Sequence, residues 1–228
     1  EKPEFIDPFN GLQDLAARVL RTPVRAGDSF NDDPLRMMRA ARFASQLDFQ
    51  IAPEVLSSMT DLAHRISIIS AERVRDEFVK IIMSPNPRIG ITLLVDTGLA
   101  DIVLPEIPKL RLEVDEHHHH KDVYEHSITV LEQAIELEDR LGGPNLVIRI
   151  AALLHDIGKP KTRAFIEGGG VSFHHHEVVG ARLVKKRLQA LRFDNETIDA
   201  VELLTMLHLR FHGYGEGEWT DSAVRRYV

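Results

Sequence analysis

Cysteine is absent from the 228-residue chain, which removes disulfides, zinc–thiolate sites and thiol nucleophiles together. No apolar run approaches the roughly 20 residues that a membrane span requires, so a membrane-crossing reading falls away. No apolar segment follows Glu1-Lys2-Pro3-Glu4, so no secretory leader is expected, and a cytoplasmic location is. A basic excess is also lacking. The net charge is −7 with His neutral, the wrong sign for a chain whose whole task is to coat a polyanion, although a local basic surface stays open. There is no internal repeat, and His117 to His120 is the one low-complexity tract.

The chain is nevertheless built to bury a core. Apolar residues make up 43% and charged residues 28%, an ordinary soluble composition, and the length suits one large domain or two small ones at roughly 100–200 residues each. Histidine is the unusual residue. Of the 12, only His64 precedes residue 117, and the other 11 lie between His117 and His212. That placement predicts two functional parts.

Helical signals dominate both. Asp33 as N-cap with Pro34 in the first turn predicts a helix through Leu47. Pro53 opens another through about His64, Ser70 a third with Val74, Phe78, Ile81 and Ile82 on one face, and Pro87 and Gly98 bracket a fourth. A short extended stretch is expected around Thr22-Pro23-Val24, and Pro105 and Pro108 mark a boundary near 105–118. Beyond it, helices are predicted over 121–141, over the almost continuously apolar 145–157, over 177–190, over 194–208 and over 222–228. Residues 162–173, with Gly168-Gly169-Gly170 at the centre, read as a small hairpin.

The sharpest motif is His155-Asp156-Ile157-Gly158-Lys159, at the end of the apolar helix. Burying an adjacent His and Asp is costly unless both are paired or bound to a cation. A mixed His/Asp set accepts Mg, Mn, Fe, Ni, Co or Zn. Gly158 can end the helix and turn the chain away from the site. His126, His176 and His208 sit on separate predicted helices, as in a helical bundle that aims metal ligands inward. His208 reads equally as a ligand or as a hydrogen-bonded core residue. His174 and His175 read as a solvated strand end or as supporting donors, and His117 to His120 as a solvated loop.

Val123-Tyr124-Glu125-His126-Ser127, then Ala152-Leu153-Leu154-His155-Asp156-Ile157-Gly158-Lys159-Pro160, then Phe173-His174-His175-His176-Glu177-Val178-Val179-Gly180-Ala181, resemble an HD domain of the HDIG type. The resemblance implies an all-helical, divalent-metal phosphohydrolase acting on nucleotides and phosphoesters. By position, His126, His155 and Asp156 match the metal ligands of the motif and His176 a fourth. A late Asp completes the set in that family and has no placed counterpart here. His155, Asp156 and Lys159 are then the candidate catalytic residues, with Lys159 either contacting substrate phosphate or simply solvated.

The front half carries a second resemblance. Asp7-Pro8-Phe9-Asn10-Gly11-Leu12-Gln13-Asp14-Leu15, then Asn31-Asp32-Asp33-Pro34-Leu35-Arg36-Met37-Met38-Arg39-Ala40-Ala41-Arg42-Phe43-Ala44, then Ser70-Ala71-Glu72-Arg73-Val74-Arg75-Asp76-Glu77-Phe78, resemble the class II tRNA nucleotidyltransferase and poly(A) polymerase family. The resemblance implies an all-α architecture: 1–30 as the remnant of a head-to-neck junction, 31–108 as a helical neck and body for nucleotide template and RNA, and 119–228 as an HD domain with one small hairpin. Asp32-Asp33-Pro34-Leu35-Arg36 matches the motif by which that family selects CTP and ATP, with Asp32 where Glu usually stands. An Asp acceptor and an Arg donor fork three residues apart on one helix face can read a base edge. The alternative is an N-cap followed by a solvated Arg. Arg39 and Arg42 extend a basic stripe that meets nucleotide or tRNA phosphate, or supports the fold. Arg73 anchors the neck or contacts phosphate and RNA.

Polymerisation in that family resides in a head whose paired acidic residues hold two divalent ions. No Gly-Gly loop with a following Asp-x-Asp is present. The chain is therefore expected to be a C-terminal portion that does not add nucleotides alone, from a parent that uses ATP and CTP on the tRNA 3′ end. Two other readings stay open in the sequence: a stand-alone HD phosphohydrolase, and a non-catalytic RNA-binding helical module with a structural His cluster.

Overall fold

Apolar side chains recur at helical spacing along most of the chain, and the computed structural model follows them. It describes residues 6–112, 122–165 and 171–211; His117 to His120, Gly168-Gly169-Gly170 and the expected helix 222–228 lie outside the described residues. The front part forms α1 (Gly11–Ala17), α2 (Ala26–Asp32), α3 (Leu35–Leu47), α4 (Pro53–Leu62), α5 (Ala71–Ile82), α6 (Pro87–Asp96) and α7 (Leu99–Val103). The back part forms α8 (Val123–Glu136), α9 (Leu146–Leu154), α10 (Lys159–Thr162), α11 (His176–Ala190) and α12 (Asn195–Leu207). Two short ladders complete it: β1 (Val19–Leu20) runs parallel to β2 (Gln50–Ile51), and β3 (Ala164–Phe165) antiparallel to β4 (Val171–Ser172). The fold is all-α, and β3–β4 is the small hairpin expected between 162 and 173.

Each long helix buries the face its sequence predicts. On α5, Val74, Phe78, Ile81 and Ile82 are buried, each large aliphatic group contributing roughly 1.5–3 kcal/mol on leaving water. On α9, Ile150, Leu153 and Leu154 are buried, and so is the run's lone charge, Arg149. One buried cluster joins front and back, including Phe78, Leu94, Tyr124, Leu153 and Val201. The ends of α9, α11 and α12 are thereby fixed relative to the start of α8, and the candidate site lies among them.

Several boundaries differ from the sequence expectation. Helix α3 begins at Leu35, and Pro34 rather than Asp33 holds the N-cap place. Asp33 still caps from one residue further back, because Pro34 has no N–H and the Asp33 carboxylate accepts from the Leu35 amide at 3.2 Å. The helix from Pro53 stops at Leu62 and continues as a 3-10 turn over Ala63–Ile68, and the one expected over 121–141 stops at Glu136 before a 3-10 turn over Glu138–Leu141. The extended segment is not at Thr22-Pro23-Val24 but at Val19–Leu20. Pro23 has no N–H to donate to a ladder, whereas the Leu20 carbonyl accepts from the Ala52 amide at 3.0 Å. The boundary expected near 105–118 begins with a 3-10 turn over Pro108–Leu112 and otherwise falls outside the described residues.

Candidate metal centre

Four elements each deliver an imidazole to one carboxylate. His126 lies in the first turns of α8, whose start is fixed by the Asp122 side chain accepting from the Glu125 amide at 2.7 Å. His155 follows the last residue of α9, and Asp156 opens the turn beyond it. His176 is the first residue of α11, and His208 follows α12. The turn after Asp156 packs directly on the start of α11. A side chain at Gly158 would collide with the backbone of His176 and Gly180. Gly158 itself has ordinary right-handed dihedrals, φ −77° and ψ −25°. It lies in the turn that follows α9, and what demands glycine there is the close approach of the α11 backbone.

Asp156 is the hub. It is 2% exposed. Its Oδ2 lies 3.1 Å from His155 Nε2, 3.8 Å from His126 Nε2 and 2.8 Å from Lys159 Nζ. Its Oδ1 lies 3.1 Å from His176 Nε2 and 3.7 Å from His208 Nε2. His174 and His175 are exposed and stand apart from this group, His175 facing Glu177 at 3.6 Å. Among the ligand imidazoles His126 is the most exposed, at 32% of its side chain against 9% for His176, so the centre opens on the α8 side.

The backbone sets the tautomers. Nδ1 of His155 donates to the Ala152 carbonyl at 2.9 Å, Nδ1 of His176 to the Phe173 carbonyl at 2.8 Å, and Nδ1 of His208 to the Thr205 carbonyl at 2.6 Å. A carbonyl only accepts, so each Nδ1 carries a proton, and Nε2 is the ring atom left to face Asp156 or a cation. Those Nε2 atoms converge. His176 Nε2 and His208 Nε2 are 3.2 Å apart, and Asp156 Oδ2 is buried without a hydrogen bond of acceptable geometry, the nearby Lys159 ammonium approaching off-angle. Electron-rich atoms facing one another in a buried site require positive charge between them. Burial by itself raises the Asp156 carboxyl. The His155, His176 and His208 rings that face it outweigh burial and hold the group well below the usual carboxylate range, so the carboxylate stays ionised. An imidazole and carboxylate donor set with each ring oriented by a backbone carbonyl fits a divalent transition metal.

The front-half residues gather differently. Asp33 is extended, at φ −142° and ψ 99°, so it does not share a helix face with Arg36 as expected. Its carboxylate instead accepts from Arg73 Nη2 at 3.0 Å, as well as from Leu35. Arg36 donates to the Ser29 carbonyl at 3.1 Å and to its hydroxyl at 2.9 Å, and with Arg39, Phe30 and Phe43 it lines a cleft of about 440 Å³. Asp32 is exposed. Arg42 turns inward, pairing with the buried Glu77 at 3.1 Å and stacking over Phe43, so its place is in the fold. Arg73 likewise anchors the neck through Asp33.

Sequence reasoning missed the second network. Arg149, 4% exposed, makes two 2.6 Å hydrogen bonds to Glu138 and two of 2.9 Å to the Ile82 and Ser84 carbonyls at the end of α5. Its signal was available: a single charge inside an apolar helical run has to be paired.

The geometry defines the class first: a helical body followed by an HD-type histidine–aspartate centre. Comparison with known proteins agrees. Residues 48–110 match the family described as the probable RNA and SrmB-binding site of polymerase A, and residues 123–225 match the HD domain. The chain is 36% identical over 215 residues to the A-adding tRNA nucleotidyltransferase of Deinococcus radiodurans, covering 92% of this chain and 48% of that protein. It is 35% identical over 218 residues to the multifunctional CCA protein of Neisseria meningitidis, covering 93% and 49%. The chain thus spans about half the length of the curated relatives it matches. A solved tRNA-processing enzyme shares the fold, with a TM-score of 0.62 over 93% of this chain and 53% of that one, at 16% identity. The chain combines the polymerase A RNA-binding family with an HD domain and is similar to the C-terminal portion of CCA-adding tRNA nucleotidyltransferases. Because the match runs through the front half as well, the stand-alone HD reading gains nothing over this one.

Proposed function

We propose that the whole protein adds nucleotides to tRNA 3′ ends in the cytoplasm, with ATP and CTP as substrates, and that its HD region is also a divalent-metal phosphohydrolase. The observation that carries the second part is the convergence of the Nε2 atoms of four imidazoles on the buried, ionised Asp156. His126, His155, Asp156, His176 and His208 would hold the cation; Mg, Mn, Fe, Ni, Co and Zn all suit such a set. When bound, the cation supplies an acidified water and neutralises charge on a phosphoryl oxygen. The carbonyls of Ala152, Phe173 and Thr205 keep three of the rings in the tautomer that offers Nε2. Lys159, held beside Asp156 with its side chain 11% exposed, is placed to meet a substrate phosphate oxygen.

In the front half, Arg36 and Arg39 line the cleft and supply donors to a nucleotide, and Asp32 and Asp33 supply acceptors. Arg73 positions the Asp33 carboxylate as a base-edge acceptor. The basic side chains of this half serve the tRNA backbone.

The hydrolase reading is tested with the purified chain and bis-p-nitrophenyl phosphate or p-nitrophenyl phosphate. Hydrolysis is expected with Mn²⁺, Ni²⁺ or Co²⁺, abolished by EDTA and restored by added metal. Absence of turnover of either ester with each metal in turn overturns it.

A further inference from the structure

A cavity of about 130 Å³ lies at the seam of the two parts, and its unpaired charge is of one sign. Three elements bring cations to it: Lys109 from the 3-10 turn over Pro108–Leu112, Lys161 from α10, and Lys186 and Arg187 from α11. Glu106 is the one carboxylate among the lining residues, and it is already taken. Arg187 holds both of its oxygens, at 2.8 and 2.9 Å. The three lysines have no such partner. All are exposed, and among the described residues none of them makes an ion pair, whereas Lys185, their neighbour on α11, reaches Glu202 at 2.7 Å. Three ammonium groups are thus left uncompensated around one cavity, in a chain whose net charge is −7.

The rest of the lining is apolar: Ile157, 2% exposed, with Pro160 and Leu183. Charge of one sign beside a low-dielectric wall focuses the field and concentrates counter-ions. The donors narrow the choice of counter-ion. A planar carboxylate is matched by an arginine fork, and the fork present here is committed to Glu106. Ammonium groups on flexible stems act as point charges and close on a tetrahedral oxyanion from several sides. The volume sets a second limit. It is below the ~300–1,000 Å³ of sites that enclose a whole small molecule, so the cavity admits one compact group rather than a nucleoside. Asp156 and Lys159 do not line it, although their chain neighbours Ile157 and Pro160 do. The cavity is therefore separate from the metal centre while sharing the turn that carries it.

We infer that this cavity is a phosphate site, in which Lys109, Lys161 and Lys186 bind the oxyanion of a free phosphate or of an RNA backbone. Lys109 belongs to the front part and the other two to the back, so the bound anion staples the two parts together beside the turn that presents Asp156. The site needs neither a metal nor the nucleotide cleft.

The test is a titration of the whole chain with inorganic phosphate, at constant ionic strength in EDTA, followed by phosphorus NMR. A parallel titration uses a single-stranded RNA oligonucleotide without terminal phosphates. Lys161→Met with Lys186→Met keeps the stems and removes two charges. Its affinity is expected to fall roughly tenfold or more, a factor of ten being about 1.4 kcal/mol. Lys185→Met, whose charge is spent on Glu202, is expected to bind as wild type does, and Arg39→Ala, in the cleft of the front half, to leave the lysine-dependent binding in place. Without phosphate the double variant should melt no lower than wild type, since it loses only unpartnered like charges; Lys109→Met, from the front part, carries the same expectation by itself. A loss seen with inorganic phosphate assigns a free phosphate as ligand, and one seen with the oligonucleotide alone assigns the RNA backbone; either supports the site. Lysine variants that bind both probes as wild type does, or wild-type protein that binds neither, overturn it.

Discussion

Asp156→Asn leaves the chain folded and removes its metal. The substitution keeps the volume of a side chain that is 2% exposed, but it replaces two anionic oxygens with one neutral acceptor and a donor. The amide NH2 then donates to an imidazole Nε2 and occupies the lone pair that a cation would need. Supporting residues around metal ligands already cost about 10–100-fold in affinity or activity, and the hub of the site costs more. Metal content after dialysis is expected to fall below detection, and phosphoesterase activity by at least a hundredfold, ~100 being the upper end of that range. Melting in EDTA should stay close to wild type, because the same comparison without metal separates folding from binding. Retention of wild-type metal content by Asp156→Asn would remove this residue from the centre.

Arg149→Ala produces the largest expected loss of stability. The guanidinium satisfies a carboxylate and two carbonyls in a site from which water is excluded. Removing it leaves Glu138, 5% exposed, without its buried partner and the Ile82 and Ser84 carbonyls without a donor. Breaking one side of a buried pair costs about 3–5 kcal/mol, which at ~2–4 °C per kcal/mol for a chain of this size lowers Tm by roughly 6–20 °C. The effect has a pH signature. Hydrogen bonds from Arg149 hold the Glu138 carboxyl below its ordinary value against the opposing effect of burial. A depressed carboxyl contributes stability that is full above its unfolded pKa of about 4.3 and is lost as pH falls through the folded value. The gap between wild type and Arg149→Ala should therefore be widest at neutral pH and narrow on acidification below that range. A pH-independent gap would assign the loss to packing alone. The double change Arg149→Met with Glu138→Leu should recover much of the stability, since well-packed apolar groups can replace a buried ion pair. The same clamp ties α9, which is followed by His155 and Asp156, to the end of α5, whose first turn carries Arg73, the partner of Asp33.

Much of this was legible in the sequence, and the boundary of legibility is physical. His155 and Asp156 stood out because a polar pair that interrupts an apolar helix is visible in one dimension, whereas His126 and His176 were placed by the resemblance to the HD motif; the structure brings all four together. Pro53 and Pro87 fixed their helix starts because a missing N–H is a local property. The β1–β2 ladder was invisible: two residues on each side, paired parallel across the whole of α2 and α3, leave no local period. The misplacement of Asp33 has the same origin. Its carboxylate is drawn to Arg73, 40 residues away in sequence, and no spacing rule reports such a partner. Gly158 was picked out as a turn residue after the helix, but the backbone of α11 pressing on that turn is a long-range demand that no local signal reports.

The most direct test of the account is an anomalous difference map from crystals of the chain equilibrated with Mn²⁺. The account predicts density within about 2.2 Å of an Asp156 carboxylate oxygen and of imidazole Nε2 atoms from at least two of the four elements. A map with the four rings and Asp156 in place, the crystals saturated, and no anomalous peak among them would contradict it.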